Sequence, residues 1–100
     1  MAQVRWTPQA ADDLEAVCLF IARDSPQLAA AFADRVLRSA DQLASYPRSG
    51  KSVPELAIDS IREIIVGSYR LIYRIRQDEV ELLTLHHGAR LLDSRTIASV

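Results

Sequence analysis

The sequence predicts an α+β domain: a strand, an antiparallel helical hairpin, then a three-stranded antiparallel meander, with the helices packed on one sheet face. Three observations carry this reading. Apolar residues recur at helical spacing between Thr7 and Ser45. From Ile61 onward the period changes to two. A chain of 100 residues leaves room for one domain, residues 1–100, whose core comes from a few packed elements.

The first strand is Gln3-Val4-Arg5-Trp6, short and alternating. Thr7-Pro8 then starts a helix, with a hydroxyl cap followed by proline at the first helical position, where its missing N–H costs nothing. Leu14, Val17, Cys18 and Ile21 follow at i, i+3, i+4 and i+7, and Asp12, Asp13 and Glu15 lie near the positive helix start. Ser25-Pro26 repeats the start signal. Leu28, Phe32, Val36, Ala40 and Leu43 mark the buried face of the second helix, and Ala29 and Ala33 allow close approach of its neighbour. So short a connection makes the pair an antiparallel hairpin.

Tyr46-Pro47-Arg48-Ser49-Gly50-Lys51 ends the second helix, and the connection runs on through Val53-Pro54-Glu55-Leu56 to about Ser60. Two readings of it stand side by side. It is a functional or mobile loop, or an ordered crossover whose Val53 and Leu56 plug the edge of the core.

Ile61–Val66, Tyr69–Arg76 and Glu79–His87 read as three strands joined at Gly67-Ser68, the Gly-X pattern of a type II′ turn, and at Gln77-Asp78. Pairing outward from Gln77-Asp78 puts Tyr69, Leu71, Tyr73 and Ile75 on one face with His86, Thr84, Leu82 and Val80. Arg70, Ile72, Arg74 and Arg76 fall on the other, beside Leu85, Leu83, Glu81 and Glu79. The first set packs under the helices, so the arginines point away. Arg74 with Glu81 and Arg76 with Glu79 would form cross-strand ion pairs of at most about 1 kcal/mol each. The remainder, Leu91 to Val100, is expected to form a helical turn or an arm.

Composition narrows the function. Twelve Lys+Arg against 13 Asp+Glu give a net charge of -1, and 49% of residues are hydrophobic. No large cofactor-binding architecture fits, and no cofactor is expected. A protein that relies on phosphate contacts usually carries a basic excess, so any nucleic-acid binding would need a local patch. One exists in outline: within 61–76, Arg62, Arg70, Arg74 and Arg76 stand against Glu63 alone. Eleven of the twelve bases are arginine, suited to planar, multidentate contacts. A single cysteine, Cys18, and the absence of a leader pattern at the start of the chain point to the cytoplasm, and no segment reads as a membrane span.

Other chemistry is thinly represented. His86 and His87 are adjacent, and on a strand they point to opposite faces, which is poor geometry for one shared metal. Either is a candidate general acid or base, although a packed or hydrogen-bonded strand-end histidine is the commoner case. Cys18 on the apolar stripe behaves as a small hydrophobe. Trp6 and the tyrosines could stack on bases, but Tyr69 and Tyr73 fall on the core face.

The segment Ile61-Arg62-Glu63-Ile64-Ile65-Val66-Gly67-Ser68-Tyr69-Arg70-Leu71-Ile72-Tyr73-Arg74-Ile75, with Val80 to Leu85 and His86-His87-Gly88-Ala89-Arg90, resembles the RelE/ParE superfamily of bacterial type II toxins. Tyr46-Pro47-Arg48-Ser49-Gly50 and Val53-Pro54-Glu55-Leu56 are similar to its linker. The resemblance implies a growth-inhibiting toxin of a toxin–antitoxin module, neutralised by a cognate antitoxin and serving functions such as plasmid stabilisation. The superfamily divides into ribosome-dependent mRNA endoribonucleases and non-enzymatic inhibitors of DNA gyrase. For cleavage, the resemblance offers Arg90, His87, His86 and Lys51. The strand position where RNA-cleaving members commonly carry a catalytic arginine holds Ile65 or Val66. The His-Gly-Ala-Arg ending is similar to the ParE branch, which favours gyrase inhibition. The expected partner surface is then Arg70, Ile72, Arg74, Arg76, Leu83, Leu85, His87 and Arg90, with an apolar groove of Ile72, Leu83 and Leu85 receiving an antitoxin segment. A homodimer or a toxin–antitoxin hetero-oligomer is compatible with an exposed strand edge.

Overall fold

In a computed structural model, which describes residues 1–90, two helices pack on one face of a mixed five-stranded sheet. Strand β1 (Gln3–Trp6) leads into α1 (Pro8–Ala22) and α2 (Pro26–Ser45). A two-residue strand, β2 (Lys51–Ser52), precedes β3 (Ile61–Val66), β4 (Tyr69–Arg76) and β5 (Glu79–His87). The spatial order is β1-β5-β4-β3-β2. Expectations for Leu91 to Val100 lie outside the described residues. No helix among the described residues is long and apolar enough to cross a membrane.

Local chemistry starts each helix as the sequence predicts. The Thr7 hydroxyl accepts from the Ala10 N–H and the Ser25 hydroxyl from the Leu28 N–H, each satisfying a donor that the first turn leaves open. The Gly67-Ser68 turn places Gly67 at φ 60, a conformation that costs a glycine least. Gln77 adopts φ 53 in the following turn, which confirms a two-residue loop with Arg76 opposite Glu79.

The main core lies between sheet and hairpin. Phe32, Val36, Ala40 and Leu43 of α2 meet Val66, Leu71, Tyr73, Val80, Leu82 and Leu85. The stripe of α1 is only half-buried, and Leu28, expected on the buried face of α2, is exposed because it sits in the first turn beyond the sheet. A second cluster on the opposite sheet face joins Ile61, Ile72 and Leu83 to Val53 of the linker, with Leu56 packed against it. The ordered-crossover reading of the linker is therefore the one adopted. Tyr73 fastens it further, since its hydroxyl accepts from the Gly50 N–H (2.9 Å) and donates to the Pro47 carbonyl (2.7 Å). Arg62 adds hydrogen bonds to the Arg48, Gly50 and Asp59 carbonyls.

Two features were not legible beforehand. Strand β1 pairs in parallel with β5, from Gln3 opposite Glu79 to Trp6 opposite Leu82. Strand β5 also carries a bulge: Tyr73 faces Leu82 but Ile72 faces Thr84, so Leu83 has no partner residue. Helix α1 holds this irregularity in place. Thr7 donates its hydroxyl to the Leu82 carbonyl, while Asp13 accepts from the Thr84 hydroxyl and from the Leu85 N–H (3.1 Å). A bulge frees backbone groups from the ladder, and here a side chain of α1 takes up one of them.

A charged sheet face as the candidate functional site

The bulge reassigns every side chain of β5 beyond it, because one extra residue exchanges the two faces. Leu85, expected on the arginine face, is buried in the main core. His86, expected under the helices, lies opposite Arg70 on the arginine face. His87 contacts Tyr69 edge-on, with ring centroids 5.5 Å apart, and its Nδ1 accepts from the Ala89 N–H. Ile72 and Leu83 keep their predicted face but are fully buried under Val53 and Leu56. The open groove of Ile72, Leu83 and Leu85 does not exist, because the linker fills it on one side and the bulge withdraws Leu85 to the other.

What remains of this face falls into two polar sectors. At the Gly67-Ser68 end, an open hollow of about 520 Å³ is lined by Lys51, Pro54, Glu55, Glu63, Ile65, Arg70 and Gly88. Arg70 is central to it, but is not a free cation. Its guanidinium makes a two-pronged contact with Glu55 (2.6 and 2.8 Å), a second ion pair with Glu63 (2.6 Å), and a hydrogen bond to the Arg90 carbonyl. The arginine side chain is 6% exposed and Glu63 3%. The hydrogen bonds of Arg70 to Glu55 and then to Glu63 raise its pKa despite the opposing effect of burial. Lys51 stands 4.0 Å from Glu63 and is largely solvent-exposed. Of Ile65 and Val66, Ile65 is exposed at the rim of the hollow and Val66 is buried in the main core.

His86 borders this sector. Burial lowers its pKa, the charges of Arg90 and Arg70 push it the same way, and Asp13 opposes them. Its Nδ1 is buried without a hydrogen-bond partner among the described residues. Burial and the neighbouring arginines thus disfavour its charged form. His87 and Arg90 are exposed at the strand end. Of the residues offered for cleavage, Lys51 lines the hollow, whose Arg70 is internally neutralised by two glutamates.

At the opposite end, three arginines converge on one buried glutamate. Arg74 Nε lies 3.2 Å and Arg76 Nε 3.8 Å from Glu81 Oε1, while Arg5 contacts the other Glu81 oxygen and also Glu79. The predicted Arg74–Glu81 pair is present, but Glu79 is taken by Arg5, so Arg76 turns to Glu81 instead. Burial raises the Glu81 pKa, yet the hydrogen bond from Arg74 and the charges of Arg74, Arg5 and Arg76 outweigh it and leave the net value lowered. Arg5 was missed in the sequence because only the parallel pairing of β1 with β5 brings it here. Glu63 carried a usable signal, since period two puts Ile61, Glu63 and Ile65 on the arginine face. Glu55, within the linker, carried none.

Cys18 lies half-buried between the helices, and burial raises its thiol pKa, the reverse of what an activated nucleophile needs.

Comparison with known proteins agrees with this architecture. Residues 4–92 match the family model described as the ParE toxin of the type II toxin–antitoxin system parDE. The chain is similar to Toxin RelE2 of Caulobacter vibrioides, with 38% identity over 92 residues, covering 91% of this chain and all of that protein. Among solved structures it is similar to the chromosomal ParDE system from P. aeruginosa (TM-score 0.71, 19% identity, 87% of this chain and 96% of that one). It is also similar to the toxin–antitoxin complex RelBE2 from Mycobacterium tuberculosis (TM-score 0.59, 29% identity, 86% and 96%). The first of these likenesses is one of fold. The family match spans nearly the whole described chain: this chain belongs to the ParE toxin family, within the ParE/RelE toxins of type II toxin–antitoxin systems.

Proposed function

We propose that this toxin acts in the cytoplasm by binding DNA gyrase and blocking it without turnover, and that a cognate antitoxin neutralises it. The reading is supported above all by the state of Arg70. An RNA-cleaving site needs cationic donors directed at the scissile phosphate, where they stabilise charge that develops in the transition state. Here the most central arginine of the sheet face is committed to Glu55 and Glu63, and a phosphate entering the hollow would meet those carboxylates. His86 offers no compensation, since burial disfavours the imidazolium that a general acid requires. Ile65 adds an apolar rim. Protein contact is compatible with all three.

The antitoxin partner is supported by the RelBE2 likeness, whose described assembly is a toxin–antitoxin complex. The name of the Caulobacter vibrioides relative keeps the ribonuclease alternative in play, with Arg90, His87, His86 and Lys51 as its residues. Purified protein added to gyrase with relaxed plasmid, and separately to a translating ribosome system, separates the two. Lost supercoiling with intact message is expected. Cut message with normal supercoiling would overturn the proposal, and Lys51→Ala would then be the first variant to test.

A further inference from the structure

The cluster at the start of β5 has a feature that internal ion pairing does not account for. Arg74 and Arg76 approach Glu81 through Nε, so the terminal nitrogens of both guanidinium groups have no acceptor among the described residues. Arg5 is tied by Nε to Glu79 and by Nη2 to Glu81. One carboxylate that is 5% exposed therefore anchors three guanidinium groups whose own side chains are 49%, 25% and 63% exposed. Glu81 holds Arg5 and Arg74 by hydrogen bonds, with Arg76 3.8 Å away, and so reduces the rotamer freedom the first two would lose on binding a ligand.

We propose that Arg5, Arg74 and Arg76, organised by Glu81, form a docking site for the carboxylate side chains of an acidic peptide segment of a partner protein. Charge complementarity selects this occupant. Within the ion-paired cluster three arginines stand against Glu79 and Glu81, an excess of one positive charge, with Asp78 in the adjoining turn. That is enough for one or two carboxylates. It is too little for a nucleic-acid strand, whose affinity grows with the number of phosphates neutralised, and the net charge of -1 gives no long-range attraction to a polyanion. Paired N–H edges of a planar guanidinium match a planar carboxylate, as Glu55 on Arg70 already demonstrates within this chain. The inference rests on the reading of this face as a protein-contact surface, but not on the identity of the target.

The test is a titration followed by the Nε–Hε resonances of the arginines, using a short capped peptide of alternating Glu and Thr. Its Gln-Thr counterpart and a short oligouridylate are run in parallel. The Glu peptide should shift the Arg74 and Arg76 signals, with salt-sensitive affinity at least about tenfold above that of the Gln peptide. Arg74→Gln with Arg76→Gln should remove that difference. Should this pair unfold the protein, Arg76→Gln alone decides, because Glu81 keeps Arg5 and Arg74. Equal binding of the two peptides, no binding of either, unchanged affinity in the variant, or oligouridylate binding at these arginines in place of the Glu peptide would each overturn the proposal. Gyrase takes no part in the titration, so a negative supercoiling result leaves it standing.

Discussion

Replacing Arg70 with methionine separates its structural role from any role in contact with a partner. The substitution removes the close ion pair of Glu63, which is 3% exposed, and one of the partners of Glu55, which is 17% exposed. Glu55 sits on the linker and can turn toward water. Glu63 is fixed on β3 between strands and cannot. Breaking a buried ion pair by removing one partner costs about 3–5 kcal/mol. Lys51, 4.0 Å from Glu63, can move closer and hold the loss near the lower end. In a domain of this size each kcal/mol lowers the melting midpoint by roughly 4–8 °C, so a fall of about 12–25 °C is expected. Arg70→Met combined with Glu63→Leu deletes the buried charge together with its partner and should return to within about 1 kcal/mol of the parent. Urea denaturation and thermal melting measure both variants. If the single variant lies within 0.5 kcal/mol (an ordinary surface value, on the order of the scatter for exposed sites), the clamp contributes nothing and the reasoning is wrong. The double variant then serves as a stable protein lacking Arg70. Retained gyrase inhibition would assign the residue to the fold, whereas loss of inhibition would assign it to the interface.

Other outcomes follow from the same geometry. A Cβ at Gly50 would lie 2.5 Å from the Tyr73 hydroxyl and 2.6 Å from the Glu63 carbonyl, so Gly50→Ala should destabilise by about 1–3 kcal/mol and loosen the linker, read by melting and by proteolysis within residues 46–60. Asp13→Ala removes the acceptor for the Thr84 hydroxyl and the Leu85 N–H and should cost about 1–3 kcal/mol, with Asp13→Asn recovering part of it in the same denaturation assay. His86 has a folded pKa below its ordinary value of 6.5, so the unfolded chain binds the proton more readily; stability is full above that pH and declines as pH falls below it. His86→Phe should flatten this acid limb, and an unchanged pH dependence between about pH 7 and 5 would remove His86 as its source.

The elements were legible because each has a local cause: caps at Thr7 and Ser25, a glycine in the hairpin turn at Gly67, and a clean change of period at Ile61. The placement of site residues was less so. One unopposed residue, Leu83, exchanged the faces of Leu85, His86 and His87, and its cause lies in Thr7 and Asp13, more than 70 positions away. Alternation along β5 contains no trace of that contact. The charge arithmetic had a similar limit. It identified an arginine-rich stretch and paired Arg74 with Glu81, but neutralisation of Arg70 depends on Glu55 in a loop whose path no periodicity encodes.

The parallel partnership of β1 and β5 bears on when this toxin first becomes a finished molecule. Gln3 is made well before its neighbour Glu79, more than 70 positions further on, and the main-chain bond from Thr7 awaits Leu82. Closing so long a loop is entropically costly, and non-local pairing slows folding. The hairpin of α1 and α2 can form early, but its sheet cannot. Arg5 meets Glu81 only once β5 has been made, so a chain that stops short of β5 lacks the arginine cluster altogether. Order of synthesis thus fixes the order of assembly: the helical hairpin precedes the charged surface, which waits for the strand that carries Glu81.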